Sequence, residues 1–344
     1  MPPNLYNAIK DKKYFEVSNL LNKKPKPIPV DIRSEELKTG LMLACSNKDP
    51  QTVEEFLKKG ASLELTDMDD GWTALLYASQ SGCHICVEKL IEKGANKEAK
   101  TIFNETPLRL AAKNNYLDVV KMLIVKKAQI DATNDKGETA LHLATENNNI
   151  EVIKFLIENS ANIEAKTDKG ETALHIAVKN NSLEIVKLLI ENNANTEAKT
   201  KQNKTAVYLA TTLNHVSIVE CLAEKNCQMK EALTLAVKNN LIEIAKCLLS
   251  HLAAIKGLYE KDLRQLLVKA VKEDHAKVAI ELLINGANVN THEGTEIGLR
   301  NCRILFLHTN FTYVLLNLQA YRDGDHINSN SCNNFCNENK TLIQ

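Results

Sequence analysis

Residues Asp135 to Thr200 read DKGETALHLATENNNIEVIKFLIENSANIEAKT, followed directly by DKGETALHIAVKNNSLEIVKLLIENNANTEAKT. These are two consecutive copies of one 33-residue unit, identical at most positions and with no gap between them. A fixed period of this length is typical of a repeat architecture, in which each unit stacks on its neighbours. The fold of the whole chain therefore follows from the structure that one unit predicts.

Each unit predicts two short helices joined by a polar turn. Apolar residues of the first helix recur on one face, and Thr139 or Thr172 precedes it where an N-cap oxygen is needed. The second helix, which begins near Ile150 or Leu183, is too apolar to be exposed on more than one side. Such a helix pair cannot bury its apolar face alone, so it must stack on copies of itself.

Polar residues mark the predicted turns of the unit. Asn148 and Asn181 follow the first helices, while Ser160 and Asn193 follow the second helices at positions where a left-handed residue ends a helix. The Asp-Lys-Gly runs that open both copies are interpreted as hairpin turns that link one unit to the next.

The signature Thr-x-Leu-His-x-Ala, present at Thr139–Ala144 and Thr172–Ala177, resembles the ankyrin repeat. Ala replaces the usual Pro in both copies. Steps of 33 residues reach related copies that begin at Thr73, Thr106 and Thr205, and a chance motif would not keep phase over five copies. The resemblance implies an all-α ankyrin-repeat solenoid of stacked helix pairs with hairpin fingers, about nine repeat units long.

The repeat pattern divides the chain into four predicted segments. These are an N-terminal capping helix pair with a Pro-rich loop (1–34), regular repeats (35–229), degenerate repeats (230–290) and a partly disordered non-repeat tail (291–344). The Pro-rich stretch from Lys23 to Asp31 is interpreted as a spacer, with a nuclear signal or a Pro-motif ligand as alternatives. The apolar run from Ile304 to Leu318 is too short and too polar for a membrane span, and is interpreted as a cap on the last repeat or as a mis-joined coding segment.

Composition bounds the classes of partner. The chain has 344 residues, 44% of them hydrophobic, and a net charge of 0, which argues against a general polyanion binder, so no nucleic-acid partner is expected. Residues 1–34 carry a local excess of positive charge and residues 135–200 an excess of negative charge, and both are interpreted as solvated faces. The N-terminal residues turn polar too early for a secretory signal, so we expect a cytoplasmic location, with the nucleus as a second compartment.

Nine cysteines, an odd number, are scattered through repeat positions, and most are expected to be reduced core thiols. The run Cys83-His84-Ile85-Cys86 has the look of a metal or redox motif. However, Cys86 takes the position of Val119 and Val152, which are core positions, and no second pair of ligands lies at zinc spacing nearby. We therefore expect no metal and no cofactor.

No catalytic constellation is present in the sequence. There is no Gly-rich phosphate loop and no nucleophile paired with a base. His142 and His175 each recur at a repeat position, so they are predicted to bond the backbone of neighbouring loops. The chain is therefore expected not to be an enzyme.

The resemblance to ankyrin repeats implies a protein partner that binds the fingers and first helices of a monomeric array. The expected role is a non-catalytic scaffold or adaptor. Alternatives are a substrate-recognition subunit of a larger complex, such as a ubiquitin ligase, or a regulatory fragment of an enzyme whose catalytic domain is absent here. The predicted partner-binding residues are Trp72, Ile102, Phe103, Glu105, Lys113, Glu138, Glu146, Glu171 and Lys179.

Three of these residues are apolar where other fingers carry charged or polar side chains. Trp72, Ile102 and Phe103 lie on adjacent fingers, and nothing in the repeat framework requires the two aromatic residues, so all three are expected to be partly exposed. We expect them to anchor an apolar partner segment, with acidic residues alongside taking basic ones. In the alternative interpretation, Trp72 folds back over a one-residue insertion in its own finger. Replacing Trp72 and Phe103 by Ala is expected to abolish partner capture and to leave the melting temperature nearly unchanged.

Overall fold

The computed structural model describes residues 1–23, 28–225, 227–254 and 260–287. Within these residues the chain forms 18 helices and no named strand, so the predicted all-α fold of nine helix pairs is confirmed. The helices are α1 (Pro3–Lys10), α2 (Tyr14–Asn22), α3 (Gly40–Ser46), α4 (Pro50–Lys58), α5 (Ala74–Ser81), α6 (His84–Glu92), α7 (Pro107–Lys113), α8 (Leu117–Val125), α9 (Ala140–Glu146), α10 (Ile150–Glu158), α11 (Ala173–Lys179), α12 (Leu183–Glu191), α13 (Ala206–Thr212), α14 (Val216–Ala223), α15 (Lys230–Lys238), α16 (Ile242–Ala254), α17 (Glu260–Lys272) and α18 (Ala276–Ile284).

The chain divides into two compact units, Met1–Ala206 and Val207–Gln344. The boundary falls at the start of α13, inside the stretch 35–229 that the sequence assigns to regular repeats. The predicted tail, residues 291–344, lies outside the described residues, as do positions 24–27 of the Pro-rich loop.

Helices of each unit form two layers. In Met1–Ala206, the first helices α1, α3, α5, α7, α9 and α11 pack on one another in chain order, and the second helices α2, α4, α6, α8 and α10 do the same. In the second unit, α14 packs on α16, α16 on α18, and α15 on α17. Apolar residues such as Val152, Ile153 and Leu156 of α10 are completely buried. The core of each unit therefore lies between its two layers of helices.

The predicted N-caps are present at the start of first helices. The Thr73 side chain accepts a hydrogen bond from Leu76 N at 3.4 Å, and Thr139 accepts one from His142 N at 3.5 Å. These oxygens satisfy backbone donors that have no partner within the first turn of a helix. Thr73 and Thr139 therefore cap the first turns of α5 and α9.

The predicted left-handed turns are also confirmed. Between the helices of a pair, φ is 56° at Asn148 and 55° at Asn181, and after the second helix it is 68° at Ser160 and 64° at Asn193. Asn tolerates this conformation because its short polar side chain can bond the local backbone, whereas most residues avoid it. Helix length is thus limited by these residues.

One alanine in the first helix of every described pair is almost completely buried. Its exposed fraction is at most 1%. A small side chain at this position lets neighbouring helices approach closely, and a larger one would have to displace them. The nine residues are Ala8, Ala44, Ala78, Ala111, Ala144, Ala177, Ala210, Ala236 and Ala270.

Candidate partner-binding surface

The hairpins that link helix pairs, here called fingers, are each held by one polar side chain at their start. In the finger 134–138, Asn134 Oδ1 accepts hydrogen bonds from Lys136 N and Glu138 N, both at 2.9 Å. The hydroxyls of Thr167 and Thr200 accept from the equivalent backbone donors of their own fingers. Finger conformation is therefore set locally by short side chains. The five fingers of this kind are 67–72, 101–105, 134–138, 167–171 and 200–204.

Backbone hydrogen bonds join neighbouring fingers at three junctions. A glycine at the tip allows the close approach: Gly137 has φ 70°, and a Cβ there would lie 2.9 Å from Asp168 N. Gly170 has φ 73°, and its Cβ would lie 2.7 Å from Lys201 N. The fingers therefore form a linked row. The three bonds run from Ile102 N to Asp70 O (2.9 Å), from Asp168 N to Lys136 O (2.9 Å) and from Lys201 N to Lys169 O (3.0 Å).

His142 ties the start of α9 to the next finger along the chain. Its Nδ1 accepts a hydrogen bond from Thr139 N at 3.1 Å, so Nε2 carries the proton and donates to Glu171 O at 3.2 Å. His175 makes the equivalent bonds with Thr172 N and Lys204 O. Burial lowers the pKa of both imidazoles below the ordinary value of 6.5, so both rings are neutral at pH 7. The predicted structural role of the two histidines is confirmed.

Arg109 takes the place of the histidine in α7 and is completely buried. Its Nη1 donates to Asn104 O at 3.0 Å, and its Nη2 lies 2.8 Å from Glu105 Oε2. Burial lowers the pKa of Arg109 and the Glu105 carboxylate opposes that effect, so the guanidinium stays charged. The arginine therefore ties α7 to its own finger through an ion pair, whereas the histidines reach the next finger.

Large apolar side chains are exposed on the first two fingers. Exposed fractions are 69% for Met68, 59% for Ile102 and 56% for Phe103. The hydrogen bond between Ile102 N and Asp70 O places the two fingers side by side. We call Met68, Trp72, Ile102 and Phe103 the apolar patch. The predicted exposure of Ile102 and Phe103 is confirmed.

Trp72 is half-buried and has a structural role as well. Its side chain packs against a buried cluster of Leu76, Ala99 and Leu110, and its ring centroid lies 5.2 Å from that of Tyr77. Trp72 is partly exposed, as expected, and it also covers core residues of two successive repeats. Phe103, by contrast, leaves more than half of its surface in solvent.

Asp67 fixes the finger that carries Trp72. Its Oδ1 accepts hydrogen bonds from Trp72 N at 2.9 Å and Asp70 N at 3.2 Å, and its Oδ2 accepts one from the Tyr77 hydroxyl at 2.6 Å. Burial, together with this carboxylate, raises the pKa of Tyr77, so the phenol remains a donor. This half of the apolar patch is therefore preorganised.

Met68 is a patch residue that the sequence analysis did not identify. Its finger, 67–72, has six residues where the finger 101–105 has five, and Met68 follows directly on Asp67, which holds the finger. A step of 33 residues gives no clear equivalent for a residue at an insertion. The insertion itself could have predicted that Met68 is exposed, since the extra length of the finger has to extend into solvent.

Three acidic residues predicted to contact the partner have partners within the chain. Glu105 pairs with Arg109, Glu138 Oε2 accepts a hydrogen bond from Asn134 Nδ2 at 2.8 Å, and Glu171 Oε1 lies 2.9 Å from Lys179 Nζ. These carboxylates are half-buried and already bond side chains of this chain. Only their remaining oxygen lone pairs can accept hydrogen bonds from a partner protein.

Three charged candidates remain, and one of them, Lys179, is the ion-pair partner of Glu171. Lys113 ends α7 and Glu146 ends α9, and both side chains are exposed. They lie on first helices, at equivalent positions of two successive repeats. The structure thus places Lys113 and Glu146 on helices, and the apolar patch on fingers.

Residues 5–101, 86–167 and 161–231 match the family model described as ankyrin repeats (3 copies). The matched regions together span well over half of the 344 residues. The chain belongs to the ankyrin-repeat family. Ankyrin repeats are protein–protein interaction modules, which stack into extended binding surfaces.

Solved ankyrin-repeat domains share this fold. The human ASB11 ankyrin repeat domain is 24% identical with a TM-score of 0.56, and the match covers 61% of this chain and 92% of that one. The ankyrin repeat domain of Bcl-3, a member of the IkappaB protein family, is 26% identical with a TM-score of 0.56 and coverages of 63% and 97%. No curated protein matches the sequence.

The cysteine pair lies at the start of α6 in the third repeat of this ankyrin array. Cys86 is completely buried, as its register predicts, and Cys83 is the N-cap residue. Their sulfurs form a disulfide, so the expectation of reduced thiols is wrong for this pair, whereas Cys45 and Cys247 remain free thiols.

The described residues contain no group of three or more His, Cys, Asp or Glu suited to hold a metal ion. None of the helices in that part of the chain is long and apolar enough to cross a membrane.

Proposed function

We propose that this ankyrin array is a non-catalytic scaffold or adaptor that holds a partner protein against its fingers, with the apolar patch as the anchor. The observation that carries the proposal is the exposure of Met68, Ile102 and Phe103 on two fingers joined by a backbone hydrogen bond. Methionine and aromatic residues are enriched at protein interfaces, and a few such residues supply most of the binding energy.

The rest of the finger row supports this choice of anchor. Positions equivalent to Ile102 carry Asp135, Asp168 and Lys201, which remain hydrated without a partner. Single exposed apolar residues are common on protein surfaces, but a group on adjacent fingers is not explained by the repeat framework. The patch also includes the exposed face of Trp72, which Asp67 and Tyr77 hold in place.

Charge around the patch defines the chemistry of the partner. Asp69 and Asp135 are exposed on fingers that carry or adjoin the patch, and Asn104 Nδ2 donates to Asp135 Oδ1 at 2.5 Å. Carboxylates at the rim attract Lys or Arg, although such exposed pairs contribute more to orientation than to affinity. We therefore expect a partner segment with an apolar anchor flanked by basic residues.

The test uses a double variant that carries both Ile102→Ala and Phe103→Ala. Its matched control is the single variant Val125→Ala. Val125 ends α8 and is 71% exposed, so the control also removes a solvent-exposed apolar side chain. Pull-downs from the native cell are quantified by mass spectrometry. Proteins that wild type and the control retain should be lost from the double variant, and all three melting temperatures should agree.

The proposal is contradicted if the double variant and Val125→Ala retain the same set of proteins as wild type. Trp72→Ala is unsuitable as the main probe, because loss of its packing on Leu76, Ala99 and Leu110 should by itself destabilise the fold. We expect Trp72→Ala to lower the free energy of unfolding by about 2 kcal/mol, which is less than the loss for a fully buried tryptophan.

A further inference from the structure

The disulfide between Cys83 and Cys86 is a chemically reactive feature that the proposed binding function does not use. The two residues are three apart, with a Cα–Cα distance of 5.2 Å. Cys83 caps α6, and its Sγ accepts a hydrogen bond from Cys86 N at 3.3 Å. The capping geometry turns the first sulfur towards the second.

We propose that Cys83 and Cys86 form a reversible thiol–disulfide couple that exchanges with low-molecular-weight thiols of the glutathione class. The proposal is independent of what the fingers bind. It rests on the position of both sulfurs in the first turn of one helix, on their unequal access to solvent, and on the absence of any long loop that the bond would close.

Placement on one helix turn makes the couple reversible. After reduction, the helix still holds both sulfurs within reach of each other, so the effective concentration of one thiol beside the other stays high. The bond closes a loop of only a few residues, so breaking it releases little chain and leaves the fold intact. Partial positive charge at the helix N-terminus stabilises the thiolate that exchange requires.

Unequal burial determines which sulfur reacts first. Cys83 retains 8% of its surface in solvent and Cys86 none. An incoming thiolate therefore attacks Cys83 Sγ, the bond between the two protein sulfurs breaks, and its electron pair goes to Cys86 Sγ, which takes up a proton. A second thiol attacks the mixed disulfide at its small-molecule sulfur. Cys83 leaves as a thiolate and then takes up a proton, so two small thiols are oxidised to one disulfide while the protein gains two electrons and two protons.

Cys45 is the internal contrast for this pair. It is completely buried, and burial raises the pKa of its thiol, so the reactive thiolate does not form at neutral pH. Cys45 also lies inside α3, away from the first turn. Cys45 should therefore resist exchange until the protein unfolds.

The experiment equilibrates the full chain in buffers of increasing reduced-to-oxidised glutathione ratio, traps free thiols by alkylation, and reads each cysteine by peptide mass spectrometry. Circular dichroism is recorded at each ratio. We expect Cys83 and Cys86 to change state together in one two-electron transition while the helical signal stays constant. A pair that remains dithiol at every ratio, or one that is reduced only when the helices unfold, overturns the proposal.

Two variants test the order of attack. Val119 and Val152 occupy the position of Cys86 in the following repeats, so Cys86→Val should fold and should leave Cys83 trapped as a mixed disulfide with glutathione. Cys83→Ser keeps a capping oxygen and should leave the buried Cys86 unmodified in the folded protein. Accumulation of the mixed disulfide on Cys86 instead of Cys83 contradicts the assigned order.

Discussion

His142, His175 and Arg109 show how single residues join the parts of this array. Each occupies the same position of a first helix and bonds finger backbone, but the histidines are neutral and reach the following finger, whereas Arg109 is charged and bonds its own finger. Buried polar groups must be hydrogen-bonded, so the orientation of these side chains is fixed by the backbone carbonyl oxygens to which they donate. Their contribution to stability should depend on protonation.

Stability should fall in mild acid because of the two histidines. Burial lowers the pKa of both histidines in the folded state below the ordinary value of 6.5. At a pH between the folded-state pKa and 6.5, the unfolded chain therefore binds more protons than the folded chain. The stabilisation is complete above pH 6.5 and is lost as pH falls towards the folded-state pKa. Denaturant titrations at several pH values should show the free energy of unfolding decreasing as the pH is lowered below 6.5. A variant with His142→Gln and His175→Gln should have a flatter profile in that range; an equally steep profile contradicts the assignment.

Close packing at Ala177 provides a second residue-scale prediction. This alanine is completely buried, so Ala177→Leu should overpack the helix interface and cost ~1–3 kcal/mol. Lys179 is exposed and pairs with Glu171, so Lys179→Ala should cost about 0–1 kcal/mol. Urea denaturation of both variants measures the difference, and equal midpoints would be inconsistent with the observed packing.

The finger is the element that determines how one repeat meets the next. Its own polar residue sets the turn, and a backbone hydrogen bond then docks the turn on its neighbour at three of the junctions between described fingers. Glycine serves both requirements at Gly137 and Gly170, since φ is positive and the adjacent finger leaves no room for a Cβ. A substitution at such a tip therefore tests the contact between fingers.

Gly137→Ala and Gly60→Ala form a matched pair for that test. Both glycines have positive φ, 70° and 77°, so each substitution should cost about 1 kcal/mol for the left-handed backbone. A Cβ at Gly60 meets nothing within 4 Å, whereas one at Gly137 lies 2.9 Å from Asp168 N. We expect Gly137→Ala to be the more destabilising by chemical denaturation. If the two variants lose the same stability, the fingers do not touch as described.

For the whole molecule, stability should vary along the array, because each repeat contacts only its neighbours. The helix α12 buries Ile185, Val186, Leu189 and Ile190, whereas α2 buries only Val17 and Leu21 and leaves Phe15 81% exposed. Helices with fewer buried apolar residues open at lower free energy.

Hydrogen exchange of the native protein measures this gradient. Amides of the regular repeats at residues 102–200 should be the most protected, and those of α1 and α2 should exchange faster by at least tenfold, the effect of about 1.4 kcal/mol in local opening. Uniform protection from Leu5 to the last described helix contradicts a chain of neighbour-stabilised repeats.

The repeat itself predicts most of the fold. The Thr N-caps, the left-handed Asn residues and the buried alanines all follow from a pattern of 33 residues, because each depends on local backbone chemistry or on contact with an identical neighbour. Periodicity also identifies Ile102 and Phe103 as exceptions, since a column of charged residues makes an apolar one visible. Where every copy makes the same contact, the sequence of one copy is sufficient.

The tertiary structure decides the contacts that no other copy repeats. Trp72 packs on Leu76, Ala99 and Leu110, residues of two successive repeats, and Glu105 pairs with an arginine where the repeat has histidine. The insertion in the finger 67–72 exposes Met68, and the cap of α6 turns Cys83 towards Cys86. These outcomes depend on which side chains meet in space and on how much solvent each retains. A periodic pattern carries no information about a contact that occurs once.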